Sequence, residues 1–208
     1  MIINLTDQRR GLNLSQATGT AQAPLPSFIL MTDETRLADP VAAAKALPPN
    51  SAVILRHYSG SNREHLARRL MAVTRRQNIR VLIAADVRLA LKVGADGVHL
   101  PEAMAALGPG PWQAWRKPGW LVTAAAHSPA ALFKAKVAGA DAALLSPVFA
   151  TASHPDRAAL GVVRFQSWCR LSPLPVYALG GMSVSAFLRL RGGDALGFAG
   201  ISGFVNRG

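Results

Sequence analysis

Two glycine-bearing segments near the end of the chain carry the clearest chemical signal. Leu179-Gly180-Gly181-Met182-Ser183 passes from an apolar run into a helix-like segment, and Gly200-Ile201-Ser202-Gly203 follows the last apolar run. Glycines at such turns let an anion approach backbone N–H groups, and a helix N-terminus behind them adds a favourable dipole. Together the two segments read as a cradle for a phosphate group. The other polar residues that follow apolar runs are Thr32-Asp33, Arg56-His57-Tyr58, Asp86, His99 and Glu102, His127, and those within 146–154. Their types suit an anionic ligand, and an imidazole suits proton transfer near neutral pH.

The elements that must position these residues alternate along the chain. Apolar, β-branched runs fall at 28–31, 52–55, 81–84, 97–100, 121–124, 142–145, 175–179 and 197–201. Continuous rather than alternating apolar runs indicate strands covered on both faces, as in parallel sheets. The segments between them have helical character. Over 63–76, Leu66, Leu70, Met71 and Val73 form one stripe, with arginines opposite. Ser128-Pro129 opens another helix as cap and first residue, and Ser183 caps the helix that contains Leu188. A weak repeat, Val93-Gly94-Ala95-Asp96, Ala138-Gly139-Ala140-Asp141 and Gly192-Gly193-Asp194, ends a helix and leads into a strand each time. Eight such units without a break predict a single (β/α)8 TIM barrel over 26–208, with an N-terminal extension over 1–25. No Gly-x-Gly-x-x-Gly follows the first strand, which argues against a dinucleotide fold. In a barrel the chemistry lies where strands run into loops at the C-terminal face, which is where the polar residues above fall. The last helix is truncated, because seven residues after Ile201 are too few to close the barrel. The extension, or a partner subunit in a homodimer, is left to cover the last strand, and the extension is the preferred cover.

Composition narrows the function classes. Half of the 208 residues are hydrophobic, enough for a sizeable core. No apolar run reaches the roughly 18 residues of a membrane span. The stretch after Arg9-Arg10 is too polar for a secretory signal, which leads us to expect a cytoplasmic protein. The single cysteine, Cys169, rules out an internal disulfide and reads as a buried structural thiol. A net charge of +12 would attract anions. No nucleic-acid-binding motif accompanies it, and solvated helix faces explain most of the arginines, so a nucleic-acid partner is not expected.

From Phe28 to Val205 the sequence resembles the thiamine-phosphate synthase/TenI family, which comprises (β/α)8 barrels. The resemblance rests on Arg56, Asp86, the block Gly94-Ala95-Asp96-Gly97-Val98-His99-Leu100, His127, and Ser146-Pro147-Val148-Phe149-Ala150-Thr151-Ala152-Ser153-His154 with Gly161. Gly180-Gly181 and Ile201-Ser202 complete it. It implies a phosphorylated thiazole as ligand, whose ring nitrogen attacks a methylene carbon of a pyrimidine pyrophosphate as pyrophosphate departs. It further implies that Arg56 contacts the pyrimidine pyrophosphate, that Asp86 binds magnesium, and that Thr151 and Ser153 hold pyrophosphate oxygens. Gly181, Ile201 and Ser202, beside Gly180, would grip the thiazole phosphate.

The departures from the family pattern concern the pyrophosphate and metal half. The family's Arg-x-Lys reads Arg56-His57-Tyr58, and its Asn-Asp reads Ala85-Asp86. Its Gly-Gln-Glu-Asp reads Pro101-Glu102-Ala103-Met104, so Met104 replaces the second magnesium carboxylate. Its Thr-x-Thr-Lys ends in His154, and Ala125 replaces a serine two residues before His127. Glu102 is then the candidate second magnesium ligand beside Asp86. Three readings follow: a synthase with a modified metal site, a TenI-like thiazole tautomerase using His127, or a non-catalytic phosphate-binding barrel. The last of these is permitted by Ala85, Met104 and Ala125. His127 does not separate the first two, since both groups carry a histidine there. His99, inside its strand block, reads as structural.

Overall fold

A computed structural model describes residues 24–58, 62–151 and 158–201. Eight parallel strands close into a barrel in chain order. They are β1 (Phe28–Met31), β2 (Ala52–Leu55), β3 (Arg80–Ala84), β4 (Gly97–Leu100), β5 (Leu121–Ala126), β6 (Ala142–Leu145), β7 (Val176–Ala178) and β8 (Gly197–Gly200). β8 returns to β1, with Phe28 opposite Phe198 and Ile29 opposite Ala199. Among the described residues seven α-helices lie between the strands: α1 (Pro40–Lys45), α2 (Arg63–Thr74), α3 (Val87–Val93), α4 (Glu102–Ala105), α5 (Pro129–Val137), α6 (Gly161–Leu171) and α7 (Val184–Leu190). The expected strands are all present. β5 runs two residues further than its apolar run suggests, and β7 is shorter at both ends. None of the described helices is long and apolar enough to cross a membrane.

Strand geometry alternates side chains between the two faces, and the buried residues sort accordingly. Ile29, Met31, Ala52, Ile54, Leu82, Leu121, Leu144, Tyr177 and Ala199 fill the barrel interior. Phe28, Leu30, Val53, Leu55, Val81, Ile83, Val98, Val122, Leu145 and Phe198 belong to the larger cluster packed against the helices. The two covered faces explain why the strand sequences are mostly apolar, with His99 and Thr123 as buried exceptions. Residues 24–27 seal the lower end: the Tyr177 hydroxyl donates to the Pro26 carbonyl at 2.6 Å, and Leu25 packs against the interior cluster.

Helix ends follow the local signals. Asp39, Asp86, Ser128 and Ser183 each cap the helix that follows by accepting from backbone N–H groups. On α2 the buried residues are Ala67, Leu70, Met71 and Thr74, while Leu66 and Val73 lie at the margin of the stripe. Arg63 departs from the expected solvated row, since its side chain is only 13% exposed and an Nη donates to the Ala84 carbonyl. Cys169 is buried in α6, and burial pushes its thiol up to about 12. The extension up to residue 23, and residues 202–208 after the last strand, lie outside the described residues.

Candidate active site

Continuing the inward register past each strand end brings Asp33, Arg56, Asp86, His127 and Ile201 to the C-terminal mouth, on the same parity as the interior residues below them. One layer below, His99 of β4 and Thr123 of β5 are both buried, with His99 Nδ1 2.9 Å from Thr123 Oγ1. Burial, reinforced by the Arg56 charge, pushes the His99 imidazole down to about 3. His99 is therefore a neutral part of the pocket floor across the physiological range, in keeping with the structural reading of its position.

On one side Arg56 is held by Asp33, with Nη2 3.6 Å from Oδ2. The Arg36 side chain, with further hydrogen bonds from Thr35 and the Arg36 backbone, holds the Asp33 carboxyl well below the usual carboxylate range. Thr32, fully buried, accepts from the Arg56 N–H at 3.0 Å and lies 2.9 Å from His57 Nδ1. The residue that follows the arginine is thus turned back onto β1, and Tyr58 lies under the Arg63 guanidinium, 5.5 Å from the ring centre.

The two carboxylates considered for magnesium have different partners. Asp86 Oδ1 accepts from the Leu89 N–H at 2.8 Å, and Oδ2 lies 3.5 Å from Arg63 Nη1. Glu102, the first residue of α4, is paired with His127, its Oε2 2.5 Å from Nδ1. Among the described residues no three metal-capable side chains come together. One oxygen of Asp86 is spent on the helix cap and the other faces a cation, so these carboxylates do not fit a magnesium site as they stand. Ala85, where the family pattern has asparagine, takes the left-handed conformation with φ +60°.

On the opposite side the loop after β6 lies against the loop after β7. Val148 N–H donates to the Leu179 carbonyl at 2.9 Å and Phe149 N–H to the Gly180 carbonyl at 3.1 Å. Gly180 (φ +93°) and Gly181 (φ +63°) are required twice over. A Cβ at Gly180 would lie 2.8 Å from Pro147 Cα, and one at Gly181 would lie 2.5 Å from the Ala150 carbonyl oxygen. Among the described residues no acceptor pairs with the N–H groups of Gly180, Gly181 or Met182, just ahead of the Ser183 cap. This is the donor arrangement an anion takes up. Ile201, the residue after β8, is half-buried and packs on both apolar clusters, and Thr151 is the last described residue before 152–157, which lie outside the described residues. Ser153, His154 and Ser202 lie outside the described residues.

Sequence reading assigned no role to the Arg63 contact with Asp86, the Asp33 hold on Arg56, or the Glu102–His127 pair. The inward parity of Asp33, Arg56 and His127 was a usable signal. Arg63 offered none, since it reads as one more arginine on a basic helix.

Comparison with known proteins agrees with the fold. The family model described as thiamine monophosphate synthase (TMP-TENI) matches residues 29–204. A putative thiamine-phosphate synthase 2 of Aquifex aeolicus is 36% identical over 140 residues, 67% of this chain and 74% of that protein. A thiamine-phosphate synthase of a Synechococcus species is 30% identical over 153 residues, 72% of this chain but only 42% of the relative. A solved thiamine phosphate pyrophosphorylase from Pyrococcus furiosus superposes with a TM-score of 0.69 over 86% of each chain at 23% identity, a likeness of fold. With a family match spanning the barrel and a relative 36% identical over 67% of the chain, the chain belongs to the thiamine monophosphate synthase (TMP-TENI) family.

Proposed function

We infer that this chain is a thiamine-phosphate-synthase-like transferase of thiamine biosynthesis, which joins a thiazole phosphate to a pyrimidine pyrophosphate. The observation that carries the reading is the family match across 29–204, which takes in Arg56, Asp86, His127, Gly180, Gly181 and Ile201. The thiazole phosphate is received by the unpaired N–H groups around Gly180 and Gly181, with Ile201 against the ring side and Ser202 as a further donor. Arg56, steadied by Asp33, offers its remaining N–H groups to the departing pyrophosphate, and the family resemblance adds Thr151, Ser153 and His154 as further pyrophosphate-binding residues. The ring nitrogen forms its bond to the methylene carbon as the carbon–oxygen bond to pyrophosphate breaks, and the electron pair leaves with the pyrophosphate. The pocket's part is to hold the two reactants in line and exclude water. Magnesium at Asp86 and Glu102 would require both carboxylates to leave their present partners, so no step is assigned to it.

The Glu102–His127 pair favours a second reading, a thiazole-phosphate tautomerase in which His127 takes a proton from one ring carbon and returns it to another atom of the ring system. One assay separates the two. The purified protein is incubated with thiazole phosphate, with and without pyrimidine pyrophosphate, and pyrophosphate release, thiamine phosphate and the thiazole isomers are followed. Stoichiometric pyrophosphate and thiamine phosphate are expected; isomerisation alone would replace the first reading by the second. Binding without turnover would leave a phosphate-binding barrel.

A further inference from the structure

We propose that Glu102 is a positioning residue for His127: its carboxylate holds the Nδ1–H of the imidazole and presents Nε2 to the ligand at the barrel mouth. This rests on the reading that the pocket receives a thiazole phosphate. The contact is short, 2.5 Å from Oε2 to Nδ1, and joins the ends of two adjacent strands. Both backbones are set independently of it. Pro101 precedes Glu102, and its carbonyl accepts from the N–H groups of Met104 and Ala105, which starts α4 at that point. His127 lies between the last residue of β5 and Ser128, whose Oγ accepts from Ala131 N–H at 3.1 Å.

Among the described residues the imidazole has one nitrogen without a partner. With Nδ1 committed to a carboxylate, the neutral ring carries its proton there and keeps the Nε2 lone pair available. His127 shares the inward parity of Leu121 and Thr123 on β5, and the small Ala125 separates it from the His99–Thr123 floor. Both side chains keep partial exposure, 30% for His127 and 39% for Glu102, so a ligand can reach the pair. Asp86, the other carboxylate considered for magnesium, is engaged by Leu89 and Arg63 instead. Glu102 thus serves an organic base rather than a metal.

The test uses the full chain labelled with 15N-histidine, with the His127 signals assigned by their loss in His127→Asn. At a pH where the ring is neutral, the wild type is expected to show the proton on Nδ1. Glu102→Ala should shift it towards Nε2–H, the form an unpaired imidazole prefers, and Glu102→Gln should keep it on Nδ1. Glu102→Ser replaces the alanine variant if that one does not fold. Where the wild type isomerises thiazole phosphate with His127 as the base, Glu102→Ala should lower kcat about tenfold or more. KM should stay within about twofold, and Glu102→Gln should recover most of the rate. An unchanged His127 tautomer in Glu102→Ala overturns the proposal, as does a rise in KM with unchanged kcat. A magnesium titration that releases His127 from Glu102 would also overturn it. A tautomer shift without turnover by any form supports the positioning and refutes the catalytic reading instead.

Discussion

Replacing His99 by glutamine should flatten the acid dependence of stability. The buried imidazole titrates at about 3 in the folded chain, against the usual 6.5 when exposed. Below pH 6.5 the unfolded chain takes up a proton that the folded chain refuses until about pH 3. The unfolded state therefore binds more protons across that window, and stability falls as pH falls through it. Between pH 7 and pH 5 the loss from this one group is about 2 kcal/mol, at 1.4 kcal/mol per unit once the unfolded imidazole is mostly charged. His99→Gln keeps a polar partner for Thr123 Oγ1 but has no proton to gain. Its absolute stability will be lower, because the packing of the floor changes. Its loss between pH 7 and pH 5 should nevertheless be about 2 kcal/mol smaller than that of the wild type. Urea unfolding followed by tryptophan fluorescence at the two pH values measures both, and the remaining titrating groups cancel in the difference. Equal losses in the two proteins would mean that His99 is charged or solvent-linked in the folded state. The pocket floor would then not be neutral, and His99 would compete with His127 for any proton-transfer role.

Gly181→Ala forces a side chain into the left-handed region and against the Ala150 carbonyl, so destabilisation of about 2–3 kcal/mol is expected. Calorimetric titration with thiazole phosphate should show binding weakened along with it, and unimpaired binding would remove these glycines from the phosphate site. Asp86→Ala should cost about 1 kcal/mol by uncapping α3, while Asp86→Asn should retain most of that stability in urea unfolding. A larger effect of Asp86→Asn than of Asp86→Ala would contradict the capping role. Ala85→Asn should stabilise the fold by about 1 kcal/mol, since asparagine tolerates the left-handed conformation that Ala85 adopts. A lower unfolding midpoint in that variant would show that its φ does not strain Ala85.

Much of the fold was legible because burial on two faces leaves a record in composition. A strand such as Ala52–Leu55, fully buried, has only apolar residues to offer, and the eight such runs appear in order with helical segments between them. Helix caps were equally local: Ser128 and Ser183 act through backbone groups three residues away. The glycine turn after β7 was legible for the same reason, since a positive φ at Gly180 and Gly181 is a demand made by their own backbone.

The partners of the charged groups were not legible in this way, because they depend on which strand ends become neighbours. The sequence by itself determined that Asp86, Glu102 and His127 stand at the mouth of a barrel. It could not say that Asp86 would be taken by a helix cap and by Arg63, an arginine 23 residues earlier on a helix that otherwise looks solvated. Nor could it say that Glu102 would meet a histidine 25 residues away rather than a metal. Only the parallel pairing of β4 with β5, which fixes their register, brings those two side chains within a hydrogen bond of each other.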